Sequence, residues 1–512
     1  MTSLFSSLPM PESFDQSSSM WVDEAIWGHR LYDEQLPWMV LLEFLNIFYH
    51  EADNGRAFDE PNGFNTLKYR AAHRLYLRNI LFNNPYLAEI QNVPATEDKK
   101  WEQWFARMKS ATGIAHPRFG YLQAHFHSFD EFCEVVSLVR STSLEINSNK
   151  RWTSKFVFPY GRDCLYEDLD NHASSNDRRF FGRTGEILYL MFCRTQQKHE
   201  LAAAIAQRLT PSDPTWNAIV KALQPSDDEQ SSGGERANAF LPYAHHPLFD
   251  ELARDWLTIL RLPIAGCDVF PHLVNLIGLH LLTYQLTIAR QLLDPGTPLR
   301  FLCEMVAPKK TLVRELACDE YQDNNLLPAQ AVEAFIEKIA ASPEWQQALG
   351  EDGAFAKCQR ILEQQARWGE DYDGPNDPHK LIAALRQAAI KRHRQHVANI
   401  HRNYGREIGL VSRRGTVKLR YAPTDSLLKT LLFANVEKRT ELHQFLATLH
   451  RRYGLVFGER EAEQVLEKSS FDKKAFQANA ARLEQRLGSL GLLKRLSDGC
   501  AYVINPYQKD VL

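Results

Sequence analysis

FDKKAFQANAARLEQRLGSLGLLKRLSDGCAYVIN, residues 471–505, is the stretch on which the reading of the fold turns. Phe476, Ala480, Leu483 and Leu487 recur at i, i+4, i+7 and i+11, the spacing of one helix face. Lys473, Lys474, Gln477, Arg482 and Arg486 fall mostly off that face. Asp498-Gly499 follows between alternating apolar residues, a short-hairpin signal. The stretch therefore predicts a helix over Phe471–Leu487 and then a β-hairpin.

Working upstream, the pattern predicts helices over Glu459–Lys468, over Thr440–Tyr453 (ended by Gly454), and over Ser426–Asn435 with Asp425 as N-cap. The order of helices and closing hairpin resembles a winged helix-turn-helix domain over about Ser426–Tyr507. The resemblance implies that the last helix enters the major groove. It makes Lys473, Lys474, Gln477, Asn479, Arg482 and Arg486 candidate contacts, with Lys494 and Arg495 on the wing. Winged helices also serve purely as protein-docking modules, as in cullin-type and kleisin-type assemblies. Glu459, Glu461, Glu463 and Glu467 on the preceding helix suit that alternative.

Further upstream, Pro378–His401 reads as a long helix. GLVSRRGTVKLRYAPTD, residues 409–425, reads as a strand pair turning at Arg413-Arg414-Gly415. Arg386, Lys391, Arg392, Arg394, Arg402, Arg406, Arg413, Arg414, Lys418 and Arg420 are opposed only by Glu407. Against a net charge of −3, this local asymmetry points to phosphate contacts. Lys391, Arg392, Arg394, Arg413, Arg414 and Lys418 are the candidates here. The alternative is a solvated face balancing the acidic loop GEDYDGPNDP, residues 369–378.

The rest of the 512-residue chain is dominated by helical periodicity. Helices are expected over Val22–Glu51 (kinked or divided by Pro37), Phe64–Phe82, Trp101–Ser110, Asp130–Val139, Pro247–Leu262, Val269–Leu293, Pro298–Val306 and Pro328–Ala341. Residues 151–185 mix aromatics, a β-like run and turn residues, and are expected to form a small irregular or β element. The fold class is thus mainly α, a multi-helical body with that element and a C-terminal winged helix. The expected division is a flexible arm at 1–20, a helical domain at 21–224, a disordered loop at 225–240, a central helical domain at 241–368, the basic helix and strand pair at 378–425, and the winged helix at 426–512. Val269–Leu293 is the most apolar stretch, but its histidines, Asn275, Gln285 and Arg290 suit a core helix better than a membrane span. The scattered cysteines form no C-x-x-C pair, which fits a reducing, cytoplasmic setting.

Catalytic motifs are missing: no P-loop, dinucleotide fingerprint, nucleophile elbow or H-E-x-x-H occurs. Three weaker clusters remain. His125 and His127 lie beside Asp130 and Glu131, and need a third metal ligand. Asp163, Glu167, Asp168 and Asp170 precede Arg178, Arg179 and Arg183; they could bind Mg²⁺ for phosphodiester cleavage, but an internal ion-pair network is the simpler reading. Asp371, Asp373, Asn376 and Asp377 read as a solvated linker. Arg70, Arg74 and Arg78 form a basic stripe that equally suits pairing with a neighbouring helix.

FPYGRDCLYEDLD (158–170), RRFFGR (178–183) and RLEQRLGSLGLLKRLSDGCAYV (482–503) resemble proteins of bacterial multi-gene phage-defence clusters encoded beside large ATPases. The resemblance implies a defence-complex subunit and brings no active residues. The expectation is a non-catalytic subunit without cofactor, holding double-stranded DNA for an ATPase or nuclease partner, with no membrane contact. Two alternatives stand beside it: a structural subunit docking on an SMC-like or helicase ATPase without touching DNA, and a metal-dependent nuclease using the central carboxylates.

Overall fold

The computed structural model describes residues 22–60, 74–112, 117–141, 182–209, 215–225, 239–368, 372–413, 418–497 and 500–508, with Leu8, Leu67, Tyr69 and Ile114 between them. The 1–20 arm except Leu8, the 151–181 part of the irregular element, and most of the 225–240 loop lie outside the described residues.

The chain is mainly α, as expected. The first stretch holds α1 (Val22–Trp27), α2 (Pro37–Asp53), α3 (Leu75–Phe82), α4 (Leu87–Gln91), α5 (Glu97–Ala111), α6 (Gly120–His125) and α7 (Phe129–Ser141). Pro37 divides the first apolar run because it sits at the start of α2, where its missing N–H costs nothing. Next come α8 (Thr184–Cys193), α9 (Lys198–Leu209), α10 (Thr215–Ala222), α11 (Pro247–Leu260) and α12 (Gly266–Leu293). Phe44 of α2 meets Trp256 of α11 edge-on at 5.3 Å, and Phe192 of α8 lies 4.9 Å from the same indole. Each such pair adds about 0.5–1.5 kcal/mol beyond the area it buries.

Helix α12 is the axle of the body, buried along most of its length. A Cβ on its Gly278 would stand 2.3 Å from Ile408 Cγ2 and 3.0 Å from Pro37 Cγ, so only glycine lets these neighbours close in. His272, Asn275 and His280 of α12 find partners inside, His272 and Asn275 at Thr430. His280 Nε2 lies 2.8 Å from Asp255 Oδ2, and Asp255, fully buried, also accepts from Tyr453 OH at 2.8 Å and from Arg452. No helix among the described residues is long and apolar enough to cross a membrane.

Beyond α12, the segment Pro298–Val306 departs from expectation. It is extended rather than helical, because its backbone finds partners far along the chain. Strand β1 (Phe301–Leu302) pairs in parallel with a later strand at Leu455–Val456. Helix α13 (Leu312–Ala340) then runs straight through Pro328, which was expected to open a helix. Pro328 forfeits one backbone hydrogen bond, yet it is buried, and the packing of this face keeps the helix continuous. Helices α14 (Pro343–Leu349) and α15 (Ala354–Ala366) follow.

The basic segment forms two helices, α16 (Pro378–His396) and α17 (Ile400–Glu407), where one was expected, because the chain breaks at Val397. His393 Nδ1 holds Asp23 of α1 at 2.6 Å, and Tyr404 OH donates to Gln35 O at 2.8 Å. The strand pair is β2 (Val411–Ser412) with β3 (Arg420–Tyr421), antiparallel.

The C-terminal unit contains α18 (Asp425–Asn435), β4 (Thr440–Glu441), α19 (Leu442–Tyr453), β5 (Leu455–Val456), α20 (Glu459–Val465), α21 (Lys473–Ser489), β6 (Leu493–Ser497) and β7 (Cys500–Val503). Thr424, not Asp425, occupies the N-cap position of α18. Strands β4, β7 and β6 form an antiparallel sheet in that order. Gly454 ends α19 at φ +73°, and a Cβ there would meet Leu299 O at 2.6 Å. That close approach lets β5 run beside β1.

Candidate nucleic-acid interface

The sequence LRFLCEMVAPKKTL, residues 299–312, builds a strap that joins the two basic regions. Cys303 N donates to Val456 O at 2.9 Å, and Glu304 N donates to Tyr421 O of β3 at 2.9 Å. Met305 N donates to Asn479 Oδ1 of α21 at 2.8 Å. Successive residues thus grip β5, β3 and α21 in turn. The basic hairpin β2–β3 lies on one side of the strap and α21 on the other.

Charges inside the strap are neutralised. Glu304 is fully buried and takes Arg314 Nε at 2.8 Å and Arg420 Nε from β3. Arg314 also reaches Ala307 O at 2.7 Å. The two guanidinium groups supply the charged hydrogen bonds that a buried carboxylate requires. Arg420, one of the cations of the basic run, is therefore committed to the interior.

The surface cations are different. Lys391 and Arg394 are exposed on α16 along an open cleft of about 610 Å³, together with Arg386 and Ile390. Arg392 is half-buried on the same helix, and Arg386 lies 3.6 Å from Glu337. Arg402 and Arg406 are exposed on α17. Their charges act on Tyr321 of α13, whose hydroxyl burial pushes up to about 12 while the two arginines pull it down. Arg413 and Lys418 are exposed at the two ends of the β2–β3 turn, and Arg414 lies outside the described residues. Lys418 and Arg420 act on Cys318, one turn before Tyr321; burial raises that thiol and the two cations oppose the rise. The α17 cations and the hairpin cations thus flank the same turns of α13.

On α21, the resemblance-derived positions separate. Lys473, Lys474 and Gln477 are exposed near the N-terminus of the helix. Asp472 caps that end by accepting from Lys474 N and Ala475 N. Asn479 is a correction: it is fully buried, and its amide donates to Cys303 O and Phe457 O, both at 2.9 Å. It faces the strap and is not free to meet a base. Arg482 donates to Met305 O at 3.2 Å, and Arg486 pairs with Asp425 through Nε at 2.6 Å. On the hairpin, Lys494 is exposed, and Arg495 pairs with Glu484 at 3.3 Å.

Among the described residues, Lys391, Arg394, Arg402, Arg406, Arg413, Lys418, Lys473, Lys474 and Lys494 form no salt bridge. Exposed cations without protein counter-charges are chemically suited to phosphates. Lys309 and Lys310 were missed in the sequence. They lie exposed on the strap, Lys310 pairing with Glu315. The turn that follows them packs against α21 through Val313, Leu316, Phe471 and Phe476. The signal was there in Pro308-Lys309-Lys310 before the helix cap Thr311, but nothing local tied it to α21.

The other clusters carry less. His125 Nδ1 sits 2.9 Å from Ala222 O, and no group of three or more metal-ligating side chains exists among the described residues. Asp163, Glu167, Asp168, Asp170 and the stripe residue Arg70 lie outside the described residues. Arg74 bonds Gln224 Oε1 at 3.1 Å.

Fold and surface together define a mainly helical protein whose C-terminal helix-and-hairpin unit is strapped to the body beneath a display of unpaired cations. Residues 357–506 match the family described as methylation-associated defense system protein MAD7. The matched span runs from within α15 to the end of the hairpin and contains the basic and glutamine candidates between Lys391 and Arg495. It supports a place in a defence system. No curated protein and no solved structure matches the chain.

Proposed function

We propose that this chain is a non-catalytic, DNA-binding and scaffolding subunit of a bacterial multi-protein defence system, antiviral in purpose and working with an ATPase or nuclease partner. The match to a methylation-associated defense protein supports the setting. The observation that carries DNA contact is the set of unpaired exposed cations on both sides of the strap: Arg413 and Lys418 on the hairpin, Lys473 and Lys474 on α21. The succession α18, β4, α19, β5, α20, α21 and hairpin, with sheet order β4-β7-β6, supports reading the unit as a winged helix with one added strand and short helix before α21. Recognition helices read bases with their N-terminal residues, and Lys473, Lys474 and Gln477 occupy that end of α21. Lys391, Arg392, Arg394 and Lys494 then supply phosphate contacts.

The test is binding of the full chain to double-stranded DNA across a salt series. Its comparison is a variant with Lys391, Arg394, Arg413, Lys418, Lys473 and Lys474 changed to Ala. Wild type should bind with a steep slope, and the variant should lose roughly 0.9 of log–log slope per phosphate contact removed. Equal binding by both proteins, or none by wild type, would sink the reading. It would favour a second one, in which the unit docks on a partner ATPase. The commitment of Asn479, Arg482 and Arg486 to protein partners favours that second reading, because it takes three of the proposed donors of α21 out of reach of DNA.

A further inference from the structure

A cleft of about 300 Å³ lies between the end of α12, the approach to β1 and the middle of α13. Arg290 and Arg300 line one side; Glu320, Asp323 and Gln330 of α13 line the other; Leu326 and Leu327 add apolar wall. The two arginines differ. Arg300 is engaged: its Nε lies 3.0 and 3.1 Å from the two Glu320 oxygens, and its Nη1 donates to Val465 O of α20. The Arg290 guanidinium has no hydrogen bond or salt bridge with any described residue, and its Nε is sealed from solvent.

A half-buried guanidinium without a hydrogen-bond partner has its desolvation offset only in part by more distant carboxylates. Asp294 and Glu320 feel its charge, but neither hydrogen-bonds to it: Asp294 accepts from Gly296 N and Thr297 Oγ1. Burial raises the Glu320 carboxyl, and its hydrogen bonds go to Arg300. A planar fork of donors facing a cleft fits an oxyanion in bidentate fashion. Across the cleft, Asp323 and Gln330 offer acceptors to the far end of a bound molecule, and the leucines offer it an apolar face.

We propose that this cleft binds a small phosphate monoester through Arg290, with the organic part against Leu326 and Leu327 and its donor groups toward Asp323 and Gln330. The site shares no residue with the proposed DNA surface, so either reading can fail alone. Arg300 couples it to the C-terminal unit through Val465.

The experiment is titration of the full chain, by calorimetry and by thermal shift, with adenosine monophosphate, adenosine and inorganic phosphate. Wild type should bind the monophosphate in preference to adenosine, with inorganic phosphate weaker but competing. R290Q should weaken the monophosphate by about 10–100-fold, the loss of one charge-assisted pair. R290K, which keeps the charge and loses the fork, should fall between. R107Q, on the exposed surface pairing of α5 with Glu89, should bind as wild type. The proposal is overturned if neither the monophosphate nor phosphate binds wild type more tightly than R290Q, or if adenosine binds as well as its monophosphate.

Discussion

Asn479 of α21 is locked to Cys303 of the strap: its amide donates to the Cys303 carbonyl at 2.9 Å while its oxygen accepts from the next residue but one, Met305. One side chain thereby joins two segments 176 residues apart in sequence. N479A would strand buried groups of Cys303, Met305 and Phe457, each costing roughly 1–3 kcal/mol when unpaired. Urea unfolding should show a loss of about 3 kcal/mol. A loss below about 1 kcal/mol would mean that the strap finds other partners.

The contrast between Arg482 and the paired lysines separates reading from holding. K473A/K474A should flatten the salt dependence of DNA binding by roughly 0.9 per contact removed, with little effect on stability. R482A should do the reverse, because its guanidinium holds Met305 O. Salt titrations of both variants beside their melting curves decide the matter. An unchanged slope in the double-lysine variant would remove α21 from the interface.

Asp255 is the anchor of α11, α12 and α19. Burial pushes its carboxyl up, but the hydrogen bond and charge of His280, the charge of Arg452 and the Tyr453 hydroxyl more than offset this and hold it below the usual range. D255A would leave Arg452 without one of its carboxylate partners. Breaking such a buried pair costs about 3–5 kcal/mol, to be read as a shift in the urea midpoint. A change under about 1 kcal/mol would show that Glu251, 2.7 Å from Arg452, is partner enough.

Acid should weaken the fold before it reaches the carboxylate range. Burial holds His246 and His272 down at about 4 and His401 at about 3. Each is neutral in the folded chain above those values, whereas the unfolded chain takes up protons near 6.5. The unfolded state therefore binds more protons below pH ~6.5, and stability contributed by these groups is lost as pH falls from there toward their folded values. The slope should approach roughly 1.4 kcal/mol per pH unit for each histidine. Asp23 and Asp33, raised by burial, act in the opposite sense at lower pH. Urea midpoints between about pH 7 and 5 measure the effect. H401Q, which keeps an acceptor for Tyr421, should reduce the slope; an unchanged slope would exclude His401 as a contributor.

Gly454 offers a backbone test. G454A would force a side chain into the left-handed region and onto Leu299 O. Strain of this kind costs about 1–3 kcal/mol. Hydrogen exchange should show Phe301 and Cys303 amides, which pair with Gly454 and Val456, losing protection first. Protection equal to wild type would mean that the β1–β5 pair does not depend on this turn.

Much of the helical body was legible from periodicity, because an amphipathic stripe states locally which face is buried. The C-terminal helices, the hairpin after Gly491 and the break at Pro37 follow from spacing and caps alone. The core character of α12 was readable from its histidines and Asn275, polar groups that find partners inside. The charge asymmetry of 386–420 was equally plain, since charge is additive along the chain.

What the sequence by itself determined is therefore secondary structure of the local kind and the whereabouts of charge. Tertiary structure decided the rest. Pro298–Val306 carries a helix-compatible pattern, yet it is extended because Leu455 and Val456 present a backbone ladder that local spacing does not encode. Asn479, Arg482 and Arg486 share a helix with Lys473 and Lys474, and only the strap and Asp425 turn the first three toward protein partners. Arg420 and Lys418 are two residues apart on one hairpin; burial of Glu304 claims the first and leaves the second in water. A cation's role depends on whether a carboxylate is folded against it, and that is settled by contacts between distant residues, 116 positions apart for Arg420 and Glu304 and 61 for Arg486 and Asp425.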